Sequence, residues 1–445
     1  MTRLTDELIG AGMSVVAAHS RAAMFAGVEA VMGERGITPV HRFHVPGRIE
    51  VLGKHTDYAG GPSLLAAVER GFVVVSAPRP DAVVRLIDAG RGEETTVSLG
   101  PGEVLAGSPH WAVYPGAAAR RFARDFAPPL QGADVAFVSD LPPSSGLSSS
   151  SALLIATFEA LRAANDLDAR PDFARTLPGV LDLAAYLGSV ESGRAFRGFR
   201  GDVGVGTAGG SQDHTAILAS EAGRICQFGY APPRLEGSVA LPAGMTFVVG
   251  MSGVAARKTG GARELYNRAA ARSQTLLEIW GRATGRADAT LFEAVTSAPD
   301  ASSRLRDALG ASSVGSFTSA DLEARLDQFV DETLVLIPSA FEALGRGDLA
   351  AFGRAVDRSQ RGAETRLGNQ IPETIELCRL ARSLGAHAAS AMGAGFGGSV
   401  WALVSRDEVA GFRADWDREY RNRHDHKAAS FFVTEAGPPL VRMIW

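Results

Sequence analysis

The sequence predicts an α+β protein of two domains, and three observations support this prediction. Short apolar or alternating segments, typical of strands, recur over the first 140 residues. Helical periodicity dominates from residue 261 to about residue 385. Strand-like segments then return near the end of the chain. Because the pattern changes near residue 240, we expect one domain over residues 1–240 and a second over residues 241–445.

The composition is that of a globular protein, and it excludes several classes of function. Of the 445 residues, 46% are hydrophobic and 21% are charged. The 45 basic and 49 acidic residues give a net charge of −4, so we expect neither nucleic acid nor an anionic membrane as a partner. Cys226 and Cys378 form no metal-binding cysteine motif, and no run of about 18 apolar residues occurs. The two isolated cysteines fit a reducing cytoplasm, and the oligomeric state is left open.

A helix and then a β-rich layer are predicted for the N-terminal part. Apolar periodicity predicts one helix over residues 3–35, which ends at Gly36. The predicted strands that follow are 43–45, 49–52, 64–77, 83–88, 95–98 and 133–140. The first two strands flank Pro46-Gly47, a dipeptide typical of turns.

Helices are predicted after the last of these strands. The first, Ser148 to Ala164, is strongly apolar, and a second covers residues 173–195. Residues 196–212 are rich in glycine and arginine, which indicates an ordered loop or an insertion. The predicted strands of the second domain are 245–251, 399–404 and 430–434.

Residues 141–153 have the features of a phosphate-binding site. They follow a predicted strand and open a helix, whose first backbone N–H groups are free to bind an anion. Ser148 to Ser151 are four consecutive serines, more than an N-cap needs, and their hydroxyls can bind phosphate or Mg²⁺.

Two other glycine-rich segments resemble a dinucleotide-binding motif but lack its context. Residues 393–398 precede a predicted strand instead of a helix, so we expect a turn that lets the backbone approach a ligand. Residues 204–209 follow no clear strand, and we interpret their spacing as chance. These contexts disfavour an NAD-dependent oxidoreductase.

Polar residues cluster at three further places. Arg48, His55 and Asp57 lie in a segment bounded by glycines, which suits a polyhydroxylated ligand. Asp213 follows a glycine-rich stretch, and Glu191 ends a helix that could face the serines. Each carboxylate, taken alone, is more typical of a solvated side chain. The histidine pairs have the spacing of metal ligands or of ordinary loop histidines, and they are His41 with His44 and His424 with His426.

Taken in this order, the segments resemble the GHMP kinase superfamily, and its galactokinase branch in particular. The segments that carry the resemblance are the sugar-binding signature (46–48 and 53–58), the tryptophan segment (111–114), the phosphate loop (141–153), the stretch with the catalytic aspartate (209–213), the Tyr-Asn region (266–267) and the third motif (393–398). Together they span roughly residues 40 to 440.

The resemblance implies a two-domain GHMP kinase fold with its active site in the interdomain cleft. It implies ATP and Mg²⁺, and phosphorylation of the C1 hydroxyl of galactose or a related monosaccharide. Asp213 would be the base or acceptor for that hydroxyl, and Arg48 would keep Asp213 ionised and stabilise the transferring phosphoryl group. Ser150 and Glu191 would hold Mg²⁺. The implied nucleotide contacts are Trp111, Ser145, Gly146, Leu147, Ser148, Ser149 and Ser150, and the implied sugar contacts are Lys54, His55, Asp57, Gly210 and Tyr266.

Two departures from the family pattern leave the substrate open. Lys54 stands where galactokinases usually have a glutamate, and a lysine donates hydrogen bonds but accepts none. It could bind the C6 carboxylate of a uronic acid, turn to solvent, or pair with Glu50. Arg194, Arg197 and Arg200 could belong to a surface insertion or could bind an anionic substrate.

Two further functions are weighed against a sugar kinase. A catalytically silent sensor would bind ATP and sugar without turnover, and the complete set of Arg48, Glu191 and Asp213 argues against it. A kinase for a non-sugar alcohol such as mevalonate or homoserine is disfavoured by the segment His55 to Tyr58.

Overall fold

Two sheets with helices packed on them organise the protein in the computed structural model, which describes residues 2–100, 108–255, 261–310 and 316–443. The strands are β1 (His41–Leu52), β2 (Ser63–Arg79), β3 (Val83–Asp88), β4 (Glu93–Ser98), β5 (Gly132–Ser139), β6 (Arg224–Tyr230), β7 (Pro233–Ala240), β8 (Met245–Met251), β9 (Ala388–Ala391), β10 (Ser399–Ser405), β11 (Ser430–Thr434) and β12 (Val441–Met443). This mixture of strands and helices confirms the predicted α+β class.

Helices cover both sheets and join their strands. They are α1 (Thr2–Gly10), α2 (Val15–Gly33), α3 (Val113–Asp125), α4 (Ser149–Ala164), α5 (Pro171–Thr176), α6 (Val180–Ser192), α7 (Gln212–Ala219), α8 (Gly261–Thr284), α9 (Leu291–Thr296), α10 (Ala301–Ala308), α11 (Ser319–Val330), α12 (Ile337–Gly345), α13 (Leu349–Gly362), α14 (Pro372–Ser383) and α15 (Val409–Arg421). Two π-helical turns, Asp331–Leu336 and Ala363–Leu367, follow α11 and α13.

The first sheet is built around the long strand β2. Its order within the described residues is β12-β1-β2-β5-β3-β4, and β6 and β7 extend it from the start of β2. Strand β2 is buried on both faces: Val73 and Val75 pack in the core cluster under α2, and Val74 packs in the cluster shared with α4. This two-sided burial is why its sequence is a continuous apolar run instead of an alternating one.

The second sheet has the antiparallel order β11-β8-β10-β9 within the described residues. Helices α14 and α15 pack on this sheet. Trp416 on α15 is fully buried, and its ring contacts the ring of Phe431 on β11. The chain passes from the first sheet to the second between Ala240 and Met245, and β12 returns to pair with β1. The division into residues 1–240 and 241–445 stays a prediction.

Two of the predicted helices are each broken into two. The helix predicted over 3–35 consists of α1 and α2, because Gly12 has a left-handed φ of +99° and Ser14 begins the second helix as its N-cap. The helix predicted over 173–195 consists of α5 and α6, which are separated by Pro178-Gly179.

Helix α2 is long and apolar enough, by length and composition, to cross a membrane. Core helices and signal sequences share that composition. Its buried side chains, which include Phe25 and Val28, pack against β2 and β5 in the core cluster under α2. The guanidinium of Arg21 on the same helix is buried against Asp140. We therefore describe α2 as a helix of the core, and the cytoplasmic location stays a prediction.

Candidate active site

A cavity of about 720 Å³ opens where the loop after β1, the N-termini of α4 and α7, and the turn at residues 393–398 meet. Most of the predicted site residues line it, namely Arg48, His55, Asp57, Trp111, Gly146, Ser148, Ser149, Ser150, Glu191, Gly210, Asp213 and Tyr266. Three predicted residues, Lys54, Ser145 and Leu147, are buried beside the cavity and do not line it.

An ion pair between Arg48 and Asp213 lies on the wall of this cavity. Arg48 Nε and Nη2 donate to Asp213 Oδ1 at 2.9 and 2.7 Å, and Nη1 donates to the carbonyl of Gly146. Burial alone would lower the pKa of Arg48, but the carboxylates of Asp213 and Glu50 raise it, so the guanidinium stays charged. The pair therefore joins β1, α7 and the phosphate loop at one point.

The second carboxylate, Glu191, lies next to this pair. Ser151 Oγ donates to Glu191 Oε2 at 2.7 Å and is 3.4 Å from Asp213 Oδ2. His214 Nε2 is 3.2 Å from the same Glu191 oxygen. Within the described residues, Ser151 is thus the serine of the four whose hydroxyl contacts the two carboxylates, whereas Ser150 lines the cavity one residue earlier.

In the phosphate loop, residues 141–153, the backbone at Gly146 lies very close to the backbone carbonyl of Met392. Gly146 has a left-handed φ of +80°, and a Cβ there would lie 2.9 Å from the carbonyl oxygen of Met392. Ser148 also has a left-handed φ, of 62°, and its hydroxyl has no hydrogen-bond partner in the described part of the chain. Helix α4 begins at the next residue, Ser149, so its free backbone N–H groups lie at the cavity.

His55 is held in one orientation by two contacts. Its Nε2 lies 3.0 Å from the carbonyl oxygen of Ala394, and its Nδ1 lies 3.0 Å from the Tyr58 hydroxyl. Because a carbonyl can only accept, Nε2 carries the proton and Nδ1 accepts from Tyr58. The ring of Tyr266 lies 5.0 Å from the His55 ring, and burial raises the pKa of the Tyr266 hydroxyl, which stays protonated.

Asp57 is the third carboxylate of the cavity. Its Oδ2 accepts from the backbone N–H of Gln212 at 3.0 Å, and burial raises its pKa. A Cβ at Gly210 would lie 2.4 Å from the same oxygen, so only glycine fits there. This close approach fixes the loop before α7 against the loop after β1.

An aromatic wall closes the other end of the cavity. The Trp111 ring meets the Phe137 ring edge-on at 5.5 Å between centroids, and the Phe72 ring lies 5.7 Å from the Phe137 ring. Trp111 Nε1 donates to Glu93 Oε2 at 2.9 Å, which orients the indole. This end of the cavity is therefore lined by aromatic, apolar rings, of which the indole of Trp111 is fixed in orientation.

Lys54 points away from the cavity. Its ammonium donates to Ser390 Oγ on β9 at 2.6 Å, and only 1% of the residue is exposed. It neither reaches solvent nor forms an ion pair with Glu50, although its charge lowers the pKa of Glu50.

The arginine-rich segment forms an ordered loop between α6 and α7. Arg197 pairs with Asp182, and the carbonyl of Arg200 accepts from Arg124. Burial raises the pKa of Asp57, and the positive charge of Arg194 opposes this rise only weakly, so Arg194 acts on the cavity at most through its charge.

Sequence reasoning missed Glu50, Ser151 and Gln212 as part of the site. Glu50 lines the cavity, and its Oε2 accepts from Gln212 Nε2 at 2.7 Å. A signal for Glu50 was present, because residues two apart on a strand share a face and Arg48 lies two residues before it. Ser151 gave no such signal, since four adjacent serines are indistinguishable by type.

Comparisons with known proteins give a consistent family. The model of the galactokinase galactose-binding signature matches residues 30–78, that of the GHMP kinases N terminal domain matches residues 113–195, and that of the GHMP kinases C terminal matches residues 340–422. Galactokinase of Roseiflexus sp. (strain RS-1) is 27% identical over 413 residues, which cover 92% of this chain and 94% of that protein. Galactokinase of Chloroflexus aggregans is 29% identical over 391 residues, or 85% of this chain and 87% of that protein.

The fold also matches a solved structure. The crystal structure of Lactococcus lactis galactokinase complexed with galactose superposes with a TM-score of 0.77 over 94% of this chain and 99% of that chain, at 22% identity. At this identity the match concerns the fold, and it agrees with the two-sheet architecture described above.

Proposed function

Because the chain belongs to the GHMP kinase superfamily and is a sugar kinase of the galactokinase type, we propose that it transfers the γ-phosphoryl group of ATP to the anomeric hydroxyl of galactose or a closely related monosaccharide. GHMP kinases use ATP as the phosphoryl donor. The observation that carries the proposal is the Arg48–Asp213 pair, which lies between the phosphate loop and the loop that holds His55 and Asp57.

Asp213 is the proposed acceptor for the proton of the sugar hydroxyl. Its Oδ1 is occupied by Arg48, and the positive charge there keeps the carboxylate ionised. In the transfer the hydroxyl oxygen bonds to the γ-phosphorus, the bond from that phosphorus to the bridging oxygen breaks, and ADP leaves. The hydroxyl proton passes to Asp213, and Arg48 stabilises the charge on the phosphoryl oxygens.

The N-terminus of α4 is the proposed phosphate site. The free N–H groups of Ser149 and Ser150 and the unpartnered hydroxyl of Ser148 are donors at the cavity, and an anion accepts from all of them. The aromatic wall with Trp111 then lies at the end of the cavity proposed for the adenine ring.

Ser150 and Glu191 fit Mg²⁺ by their chemistry. A hydroxyl and a carboxylate are oxygen donors, which a hard cation prefers, and Glu191 is nearly buried beside the phosphate site. When bound there, Mg²⁺ would neutralise charge on the transferring phosphates. The hydrogen bond from Ser151 orients the Glu191 carboxylate for this role.

The proposed sugar contacts are His55, Asp57, Gly210 and Tyr266. The Asp57 carboxylate is fixed by the backbone N–H of Gln212, so it offers a preset acceptor to a sugar hydroxyl. Both ring nitrogens of His55 already have partners, so we propose that its ring packs against the sugar. Gly210 and Tyr266 close the cavity around them.

Steady-state ADP release tests the function. We expect turnover of galactose with ATP and Mg²⁺, and a loss of kcat by about 100-fold or more in Asp213→Asn, because a positioned base contributes at least this factor. Asp407→Asn, at an exposed turn, is the matched control and should keep wild-type kcat. 1-Deoxygalactose lacks the proposed acceptor hydroxyl, so it should inhibit competitively and release no ADP.

The same assay separates the alternatives. Turnover of 1-deoxygalactose would contradict phosphorylation at C1. A preference for galacturonate would support the uronate 1-kinase alternative, which rests on Lys54 although its ammonium is bonded to Ser390. Binding of ATP and galactose with no turnover would support the sensor alternative instead.

A further inference from the structure

A second group of metal-ligand side chains lies on the helices that cover the second sheet. Glu373 is in the first turn of α14, and His424 and His426 follow the end of α15. One potential ligand atom from each of the three lies within 4.8 Å of the others. All three are half-buried, and none of them lines the cavity described above.

The turn that carries the two histidines is held in place by packing. Tyr420 is fully buried and donates to the carbonyl of Ser252 at 2.8 Å, and the backbone N–H groups of Arg423 and His424 bond to the Tyr420 carbonyl. The His424 ring stacks on the Tyr420 ring at 4.8 Å. His424 is therefore positioned by the fold and is not a freely rotating surface side chain.

The three side chains already point toward one another. His426 Nε2 lies 3.2 Å from Glu373 Oε1, and the His424 and His426 rings are nearly parallel, with 5.9 Å between centroids. The hydrogen bond between Glu373 and His426 and the stacking of His424 on Tyr420 hold the side chains so that their ligand atoms lie within reach of one ion. A tetrahedral zinc ion with ligand distances of about 2.0–2.2 Å needs ligand atoms about 3.4 Å apart, which small side-chain rotations would reach here.

We propose that Glu373, His424 and His426 form a binding site for a divalent transition-metal cation such as Zn²⁺, distinct from the proposed Mg²⁺ site. Two imidazoles and one carboxylate suit Zn²⁺, Co²⁺ or Ni²⁺, whereas Mg²⁺ prefers oxygen ligands alone. The partial exposure of the three side chains leaves a fourth position for water.

The site would fasten the turn after α15 to α14. The same turn contacts the segment after β8, because a Cβ at Gly253 would lie 2.6 Å from His426 Cβ. The ion would therefore stabilise the packing of the second domain and take no part in phosphoryl transfer.

Titration of the full-length, metal-free protein with Co²⁺ tests the proposal. Excess Mg²⁺ in the buffer keeps the oxygen-rich site at Glu191 occupied. We expect one equivalent of Co²⁺ to bind with the visible absorption of an imidazole-ligated centre, and Zn²⁺ to displace it. His424→Ala and Glu373→Gln should each weaken binding by about tenfold or more, and the double variant His424→Ala/His426→Ala should abolish it.

Two further measurements make the outcome decisive. Zn²⁺ should raise the unfolding temperature of the wild type and of the control His19→Ala, whose imidazole is exposed on α2, but not that of the double variant. Equal Co²⁺ spectra in the wild type and in Glu373→Gln, or the absence of a Co²⁺ spectrum in the wild type, would overturn the proposal. Glu373→Gln changes one atom of a half-buried side chain and keeps this test independent of misfolding.

Discussion

Glu50 is a buried side chain whose two carboxylate oxygens differ in their hydrogen bonding. Its Oε2 accepts from Gln212, whereas its Oε1 has no hydrogen-bond partner among the described residues. Burial raises its pKa from 4.5 to about 7, against the opposing charges of Arg48 and Lys54. The folded protein therefore holds both the acid and the carboxylate form of Glu50 near neutral pH, and the acid dominates at lower pH.

We predict that Glu50→Gln makes the protein less sensitive to rising pH. The folded protein binds the Glu50 proton up to a pH of about 7, and the unfolded chain releases it near 4.5. The wild type therefore loses stability as the pH rises through this window, by at most about 1.4 kcal/mol per pH unit, and the glutamine does not. Urea unfolding at several pH values between 5 and 8 measures this difference.

The expected sign is specific. The free energy of unfolding of Glu50→Gln minus that of the wild type should grow from pH 5 to pH 7 and level off above it. Glu342→Gln, at an exposed glutamate of α12, should show no such slope. A difference that is constant with pH would show that Glu50 is ionised throughout.

At the scale of elements, the loop that follows α6 and leads to α7 shapes the side of the cavity that we propose for the sugar. Its last residues bring Gly210 against Asp57, while its middle, near Gly198, has open space around it. The loop is ordered by Arg120, whose Nε donates to Asp202 at 2.8 Å. Its two ends therefore differ in how much substitution they tolerate.

We predict that Gly210→Ala raises KM for the sugar by about tenfold or more and leaves nucleotide binding close to wild type. A Cβ at this position would lie 2.4 Å from Asp57 Oδ2 and 2.8 Å from the Tyr58 backbone nitrogen, so one of the two loops must move. Galactose KM and ATP affinity, measured separately, check this.

Gly198→Ala is the control from the same loop, because a Cβ there meets no heavy atom within 4 Å. Its KM for galactose should stay within about twofold of the wild type. An unchanged KM in Gly210→Ala would show that Asp57 does not position the sugar.

On the scale of the whole molecule, the loop after β1 is held in place by residues from the second half of the chain. Glu332, on the π-helical turn after α11, accepts from the backbone N–H of Gly53 at 2.8 Å, and Arg325 Nη2 donates to the His55 carbonyl at 2.5 Å. Lys54 reaches β9 through Ser390. The position of this loop, which lies in the first half of the sequence, therefore depends on contacts with the second half.

We predict that Lys54→Met leaves the order of preferred sugars unchanged. The ammonium is bonded to Ser390, and Ser390 Oγ keeps its bond to Gln360 when the lysine is removed. Methionine is also unbranched and flexible, so the stability cost should stay below about 1.5 kcal/mol. The kcat/KM values for galactose and galacturonate, with urea unfolding, measure both effects.

Lys427→Met, at an exposed lysine, is the matched control for this substitution. A reversal of the galactose and galacturonate preferences in Lys54→Met alone would restore the uronate hypothesis.

Much of the fold could be predicted from short segments, because strands and helix starts leave characteristic patterns in neighbouring residues. The apolar runs gave the strands β2, β5 and β8, and the glycine and serine segment gave the start of α4. Apolar periodicity does not reveal the helix breaks after Gly12 and at Pro178-Gly179, because it resumes on both sides of each break.

The sequence by itself indicated the family, the α+β class and 12 of the 32 described residues that line the cavity, because glycine, serine and acidic residues at fixed spacings have few structural uses. The tertiary structure decided how these residues are paired. The resemblance already implied that Arg48 acts on Asp213, and the structure joins them across 165 positions of sequence. The structure alone placed Ser151 against Glu191 and turned Lys54 toward Ser390. The physical reason is that a buried charge or hydroxyl must find a partner, and the partner is whichever group the packing of distant elements brings within hydrogen-bond distance.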